Sequence, residues 1–386
     1  MGNLTVSSLL ENIFRAKDRV QREVTGFLPG VTINSDIAGI STGGTVTSHI
    51  APVPTLNTSY TPSMTPPEGD NQTIAVDTMA ISQVANISIP LVGEQLRQID
   101  NTAGQAVLDD MFAQALRKLA NTIEAHVASV AYKGASRAVG TAGTTPFASN
   151  HNVINSLRQT LLDNGTPMND GMISLVINSL AGTNLRNLSN LYKVNEAGGG
   201  DLLRRGVLTD ISGIMIRESA NIQSHTKGAG TGALFNGAGA VGDTTVTYDT
   251  LTVNTTGIKA GDVVTHASDS TNKYVVKTGT TATSGTIVLN KPGLLVAAAD
   301  NDAITVGNSY TANVGFHKSA IELVMRPPAQ PYGGDAATDR MTIKDDQTGL
   351  VFEVATYKGY GKNVIDITCF YQAKVWKPEF VATLLG

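Results

Sequence analysis

The chain has 386 residues and a formal net charge of −4. That length suits two or three globular units, and the acidic balance argues against a protein whose main work is neutralising nucleic-acid phosphates. Cys369 is the only cysteine, which excludes an intrachain disulfide and a cysteine-built zinc cluster. Aromatic residues make up only 5% of the chain, so the core should be thin-layered and filled with small side chains.

The opening stretch MGNLTVSSLLENIFRAKDRVQREV mixes acidic and basic residues with apolar ones, unlike the uninterrupted apolar run of a signal peptide. No later segment approaches the roughly 18 uncharged apolar residues that span a bilayer, so no membrane partner is expected. Within 7–24, Leu9, Leu10, Ile13, Phe14, Val20 and Val24 recur near helical spacing, interleaved with Arg15, Lys17, Asp18, Arg19 and Arg22. This predicts an amphipathic helix with nothing adjacent in sequence to pack on. Its basic face is either a solvated surface or a contact for an acidic partner.

Residues 31–91 are rich in Thr, Ser, Asn, Gly and Pro. Two stretches there, TVTSHIAPVP and QTIAVDTMAISQVANISIPLV, alternate and are β-branched, which predicts two long strands of one hairpin. Between them SYTPSMTPPEGDN cannot continue a ladder and marks an exposed tip. From Gly93 to about Gly134, Leu108, Phe112, Ala115, Leu119, Ile123, Val127 and Val130 step by three or four, predicting one long helix of roughly 50 Å.

After a Gly/Thr-rich break, HNVINSLRQTLLDNG reads as a helix closed by Gly165 and MISLVIN as a buried strand. SLAGTNLRNLSNLYKVN reads as a helix opened by Ser179, and ISGIMIRES as another strand; this alternation indicates an α/β unit. The composition changes at about 225. GAGTGALFNGAG reads as a hinge, and VTYDTLTVN, GDVVTHA, KYVVKTG, GTIVLNK and AITVG as short strands of a small inserted β-barrel or sandwich. The first pattern resumes in ANVGFHKSAIELVMRPP, and three strand-like runs close the chain: LVFEVATYKGYG, NVIDITCFYQAKVW and EFVATLLG.

Chemistry-bearing patterns are scarce. The histidines at 49, 126, 151, 225, 266 and 317 never reach the i, i+4 spacing of a helical metal pair. His126 reads as a hydrogen-bonded structural residue on the long helix. GAGTGALFNGAG lacks the Lys-Ser/Thr of a phosphate loop; in GYGKN, Asn363 replaces the magnesium-binding hydroxyl, so this segment reads as a turn between strands. Asp109 with Asp110, and Asp345 with Asp346, are adjacent pairs that point different ways and read as solvated charge. No catalytic, cofactor-binding or metal-ligating residue is expected, and the chain does not read as an enzyme.

The segment VGEQLRQID...LRKLANTIEAHVASVAYKGAS resembles the spine region of coat proteins from short-tailed phages of the P-22 type, most clearly at Arg117-Lys118-Leu119-Ala120-Asn121. TLTVNTTGIKAGDVVTHA resembles the opening of that family's inserted domain, and FYQAKVWKPEFVATLLG its C-terminal strand. MISLVINSLAGTNLRNL followed by GVLTDISGIMIRES resembles the strand, helix and apolar loop of phage capsid proteins of the Hong Kong 97 type. The chain is shorter than fuller members of the family, chiefly inside the insertion.

The resemblance implies an α+β protein of the Hong Kong 97-type phage capsid fold with an inserted all-β domain. Its parts would be an N-terminal arm (1–34), an extended β-hairpin loop (35–92), a spine helix and peripheral domain (93–148), an axial domain (149–224), the β-rich insertion (225–310) and returning axial and peripheral strands (311–386). It implies a major capsid protein that assembles with itself, as hexamers and pentamers, into an icosahedral virion shell. Scaffolding protein, a portal and non-specifically held double-stranded DNA at the inner face would be its partners, with assembly in the host cytoplasm. Met1 is present, so maturation without cleavage is expected. Removing residues 1–30 is expected to abolish shells while leaving folded monomer, and deleting 228–308 to disturb folding or contacts between neighbours. A β-rich adhesive or decoration protein of a virion surface is the alternative; it requires aromatic platforms, for which 244–306 offers only Tyr248 and Tyr274.

Overall fold

The computed structural model describes residues 6–21, 26–36, 43–50, 56, 58, 62–65, 74–95, 102–192, 210–252, 256–344 and 349–386. The helices are α1 (Val6–Gln21), α2 (Thr102–Lys133), α3 (Asn152–Asp163), α4 (Ser179–Arg186) and α5 (Ser189–Tyr192). The first strands are β1 (Thr32–Ser35), β2 (Thr45–Ile50), β3 (Ala75–Ala80), β4 (Gln83–Val92), β5 (Arg137–Gly140), β6 (Ile173–Ile177), β7 (Met215–Glu218) and β8 (Ser224–His225). A β-rich stretch follows, with β9 (Ala233–Phe235), β10 (Thr245–Asp249), β11 (Val263–His266), β12 (Asp269–Thr278), β13 (Gly285–Leu289) and β14 (Ala303–Val306). The chain closes with β15 (Tyr310–His317), β16 (Ile321–Arg326), β17 (Ala337–Lys344), β18 (Val351–Gly359), β19 (Lys362–Val375) and β20 (Val381–Leu385). The result is a mixed α+β fold with few helices and many strands.

The 32 residues of α2 make a rod of about 48 Å at 1.5 Å per residue. Leu108, Phe112, Ala115, Leu119, Ile123 and Val127 are buried along it, as their spacing predicts, and Val130 packs at the margin. The rod lies on one face of a six-stranded sheet ordered β1-β16-β19-β18-β17, with β4 paired to the other side of β19. Alternation puts Ala85, Ile89 and Leu91 of β4, and Ile365, Ile367, Cys369 and Tyr371 of β19, on the buried face. Strand β17 was not anticipated: DAATDRMTIK carries only Met341 and Ile343 as apolar alternating residues, too few to stand out from a loop.

A second core gathers α3, α4, β6, β7 and β20, with every residue of β6 buried. Gly165 closes α3 as expected, its N–H donating to Leu162 O at 2.8 Å. The cap of α4 is Asn178, one residue before the expected Ser179: its side chain accepts from Ala181 N at 2.9 Å. The helix then breaks at Asn187 and Leu188 before α5.

In the β-rich stretch, the antiparallel pairings β11-β14-β9-β10-β13-β12 return from β12 to β11, so six strands close on themselves. The interior holds Phe235, Val246, Tyr248, Tyr274, Ile287 and Leu289. The segment read as a hinge contributes β9, with Ala233 and Phe235 buried. At Gly228 close backbone approach, not flexibility, calls for glycine: a Cβ there would lie 2.1 Å from Gly257 O. Pairing of β12 with β5 carries this ring into the strands beside β20 and β15.

The ring also finishes α2. Asn290 Nδ2 donates to Lys133 O and Ala135 O, both at 2.8 Å, satisfying carbonyls the helix end leaves without partners. Asn290→Ala should therefore lower stability by about 1–3 kcal/mol through orphaned buried carbonyls, read as a reduced urea midpoint with an unchanged denaturant slope.

Candidate functional site

With no catalytic or ligand-holding residue expected, the candidate site is the hairpin surface that projects from the sheet and the contacts that set it. Strands β2 and β3 pair over six residues each, from Thr45↔Ala80 to Ile50↔Ala75. The expected long second strand is divided: after Ile81 and Ser82 the chain leaves the hairpin, and β4 pairs instead with β19. The hairpin base is seated by Met79 and Ile81, buried against Val324 with Val46, Phe370 and Trp376.

A polar latch reinforces that seat. Lys374 Nζ donates to Asp77 Oδ1 at 2.5 Å and to Thr78 O at 2.7 Å, and lies 4.4 Å over the Trp376 ring. Trp376 Nε1 donates to Glu322 Oε2 at 2.6 Å. Burial works against the Asp77 carboxylate, but the Lys374 ammonium outweighs it and holds the carboxyl below its ordinary range. Beyond the seat, Met64 (103% exposed), Leu56 (82%), Ile74 (61%) and Val76 (55%) stand in solvent. The expected Pro-Pro and Gly-Asp of the tip lie outside the described residues.

The N-terminal helix packs on the core of its own chain. Leu9, Ile13 and Ala16 are buried in the same core as α2, and Asn12 Nδ2 donates to Asp109 Oδ1 at 2.6 Å. Arg15 is held by Glu11 and lies 3.7 Å from Asp109. Lys17 sits over the half-exposed Phe14 ring at 5.4 Å. The basic face is thus partly occupied within the chain, while the side chains of Arg19, Val20, Arg22 and Val24 lie outside the described residues. Asp109, read from sequence as solvated charge, is buried, because the helix that covers it comes from about a hundred residues away. Asp345 and Asp346 lie outside the described residues.

Downstream of α1 the chain is tied at Glu124, which is 1% exposed in the middle of α2. Its Oε1 accepts from Gly26 N at 2.8 Å, Phe27 N at 3.3 Å and Ser219 Oγ at 2.6 Å. Only glycine fits at 26, since a Cβ would lie 2.6 Å from Val176 Cγ1 and 2.7 Å from Ser219 Cβ. Phe27 then stacks on Phe316 with ring centroids 5.9 Å apart. No motif announces Glu124, because its three donors come from distant segments. The expectation that residues 1–30 can be removed from an intact monomer is difficult to sustain: Leu9, Ile13, Phe27 and Leu28 all belong to the core.

His126, His225 and His317 serve packing. His225 Nε2 lies 2.7 Å from Asp262 Oδ1, flanked by the Tyr132 and Tyr310 rings; Asp262 also accepts from Gly228 N and Lys259 N. Burial pushes both tyrosine hydroxyls up. His317 has Asp170 at 2.7 Å and Ser319 Oγ at 2.8 Å, an order that superficially matches an acyl-transfer relay. Its Nδ1 also accepts Ser319 N–H and so caps a 3-10 turn. His126 meets Tyr371 edge-on at 5.4 Å, and its buried Nε2 has no hydrogen-bond partner among the described residues. Burial pushes its pKa down. No group of three or more His, Cys, Asp or Glu side chains that could hold a metal occurs among the described residues. Tyr248 and Tyr274 are both buried, so neither offers the platform an adhesive would need.

No protein-family model matches the chain, and no curated protein matches it. Among solved structures, the capsid structure of the cyanophage P-SCSP1u is 14% identical over 94% of this chain and 88% of the other, with a TM-score of 0.51. A Mycobacterium phage Che8 structure is 15% identical over 89% and 84%, with a TM-score of 0.48. The asymmetric unit of the bacteriophage PhiM1 mature capsid is 12% identical over 94% and 87%, at 0.45.

Two outcomes test the internal ties. Glu124→Leu would orphan three donors at roughly 1–3 kcal/mol each before relaxation, lowering the urea midpoint and speeding amide exchange over 26–31; Glu124→Gln, which keeps an acceptor oxygen, should cost less. Burial pushes the Cys369 thiol up to about 12, so it should resist alkylation at pH 8 in the native subunit and react only on unfolding. The chain shares the fold of the cyanophage capsid structure.

Proposed function

We propose that the chain is the major capsid protein of a tailed bacteriophage, self-assembling as hexamers and pentamers into an icosahedral shell around packaged double-stranded DNA. The observation that carries this reading is the capsid architecture over nearly the whole chain, joined to a latched hairpin that holds large apolar side chains in solvent. A lone subunit has no use for Leu56, Met64 and Ile74 so exposed, whereas a neighbouring copy would bury them. Individual contacts of this kind are weak, and closed symmetry multiplies them.

In this reading the chain follows the Hong Kong 97-type plan, with subunit parts at 1–34, 35–92, 93–148, 149–224, 225–310 and 311–386. The resemblance of 117–121 and the closing strand to P-22-type coat proteins suggests the remaining partners: a scaffolding protein and a portal during assembly, and DNA held without sequence preference at the inner face. No helix among the described residues is long and apolar enough to cross a membrane. Assembly would take place in the host cytoplasm, and the product would reside in the virion. The chain would do its work by association, without catalysis or cofactor.

Expression alone and with a scaffold, followed by negative-stain electron microscopy and sedimentation, tests the proposal. Closed shells or capsomer rings are the expected products; a persistent monomer in both cases would count against it. Because Ile50 pairs with Ala75, replacing 51–74 with Asn-Gly should close the hairpin as a tight turn. That variant should remain a folded monomer and lose shells, and normal shells from it would remove the hairpin from the mechanism.

A further inference from the structure

Strand β4 has an edge that no strand covers among the described residues. Its inner edge runs along β19 from Tyr371↔Gln83 to Lys362↔Val92. Pro90 has no N–H, and Val92 N–H is taken by Gln95 Oε1 at 3.1 Å, while Gly93 N–H turns inward to Gly361 O at 3.4 Å. These fix the phase of the ladder: positions 83, 85, 87, 89 and 91 face β19, and positions 84, 86, 88, 90 and 92 face away. The outward N–H groups of Val84, Asn86 and Ser88 have no backbone acceptor among the described residues. Past them the edge ends at Pro90 and the Gln95 cap.

Exposed edges are ordinarily blunted by charge, proline or a bulge. QVANISIPLV carries no charged residue, its register with β19 is unbroken, and its one proline sits at the far end of the open stretch. Outward side chains over that stretch are exposed but tied down: Asn86 Nδ2 donates to Asp366 Oδ2 at 2.7 Å, and Ser88 Oγ donates to Asp366 Oδ1 at 2.6 Å. The surface beside the edge is therefore flat and ordered.

We propose that the outer edge of β4 over 84–88 receives an extended strand from a second copy of this chain, enlarging the six-stranded sheet across the contact between subunits. This inference rests on the shell reading. A second copy fits because the chain itself carries a strand of the matching length whose outer edge has no strand partner among the described residues: β2 spans six residues and pairs only with β3. The subunit's own hairpin is not the donor. Only Ile81 and Ser82 separate β3 from β4, and β3 is already seated over the sheet by Met79, Ile81 and the Lys374 latch.

Proline at an outward position removes a donor from the open edge without touching the ladder to β19, as Pro90 already does. Val84→Pro and Ser88→Pro are the test variants, with Val84→Ala and Ser88→Ala as controls that keep the N–H groups. The proline variants should sediment as folded monomers with particle yield reduced at least about tenfold, while the alanine variants assemble; normal particles from either proline variant overturn the proposal. A second measurement does not depend on those variants folding. In particles of the unaltered chain, amide exchange at 84, 86 and 88 should slow by about tenfold or more relative to dissociated subunits. Particles in which these amides stay fast overturn the edge contact alone. No particles from the unaltered chain, with or without scaffold, overturn the shell reading as well.

Discussion

A single buried carboxylate sets the relation between the parts of this subunit. Glu124 could not sit in the middle of α2 at 1% exposure without several donors, because desolvating a carboxylate costs far more than one neutral hydrogen bond returns. Its partners come from the segment after α1 and from the end of β7, so the rod, the N-terminal segment and the second core meet at one point. Gly26 is the steric counterpart, since the approach that brings its N–H to Glu124 leaves no room for a side chain. From this point Phe27 and Leu28 enter the main core, and β1 begins its pairing with β16.

The same economy recurs at both ends of α2. Near its start Asp109 receives Asn12, and at its end Asn290 covers the last carbonyls. A rod of 32 residues is long for a domain of small side chains, and its apolar stripe alone would allow it to slide along the sheet. Directional polar contacts from three remote segments remove that freedom. With so few aromatic residues, the Phe27–Phe316 stack and the Tyr132, His225 and Tyr310 rings fall at junctions between parts, where large side chains bridge gaps that Ala, Val and Thr cannot fill.

Local periodicity made much of this legible. The long helix, the buried β6, the helix stop at Gly165 and the final strands follow from spacing and turn residues, and so do the short strands of the ring from their β-branched runs, whereas its closure was left open between barrel and sandwich. Long-range pairing was not legible: the split of the second hairpin strand depends on β19, whose partner choice is written nearly three hundred residues away. Glycine misled at 228–239, where close packing and flexibility leave the same composition. The weakly apolar β17 and the polar ties of Asp109 and Glu124 had no local signature, because each is defined by what folds against it. At the candidate surface, the two strands of the hairpin were readable, whereas the latch through Lys374, Asp77 and Trp376 was not.

The six-stranded ring and the six-stranded sheet handle hydrogen bonding in opposite ways. Closure leaves the ring without a free margin among the described residues, while the sheet retains β1, β4 and β17 at its borders. Insertions in the ring's turns would therefore change neither its pairing nor the borders of the sheet. Turns such as Thr281–Ser284, outside the buried interior, are accordingly where lineages of this protein could drift in length, or where a foreign peptide could be displayed, while the geometry of α2 and its sheet stays constant.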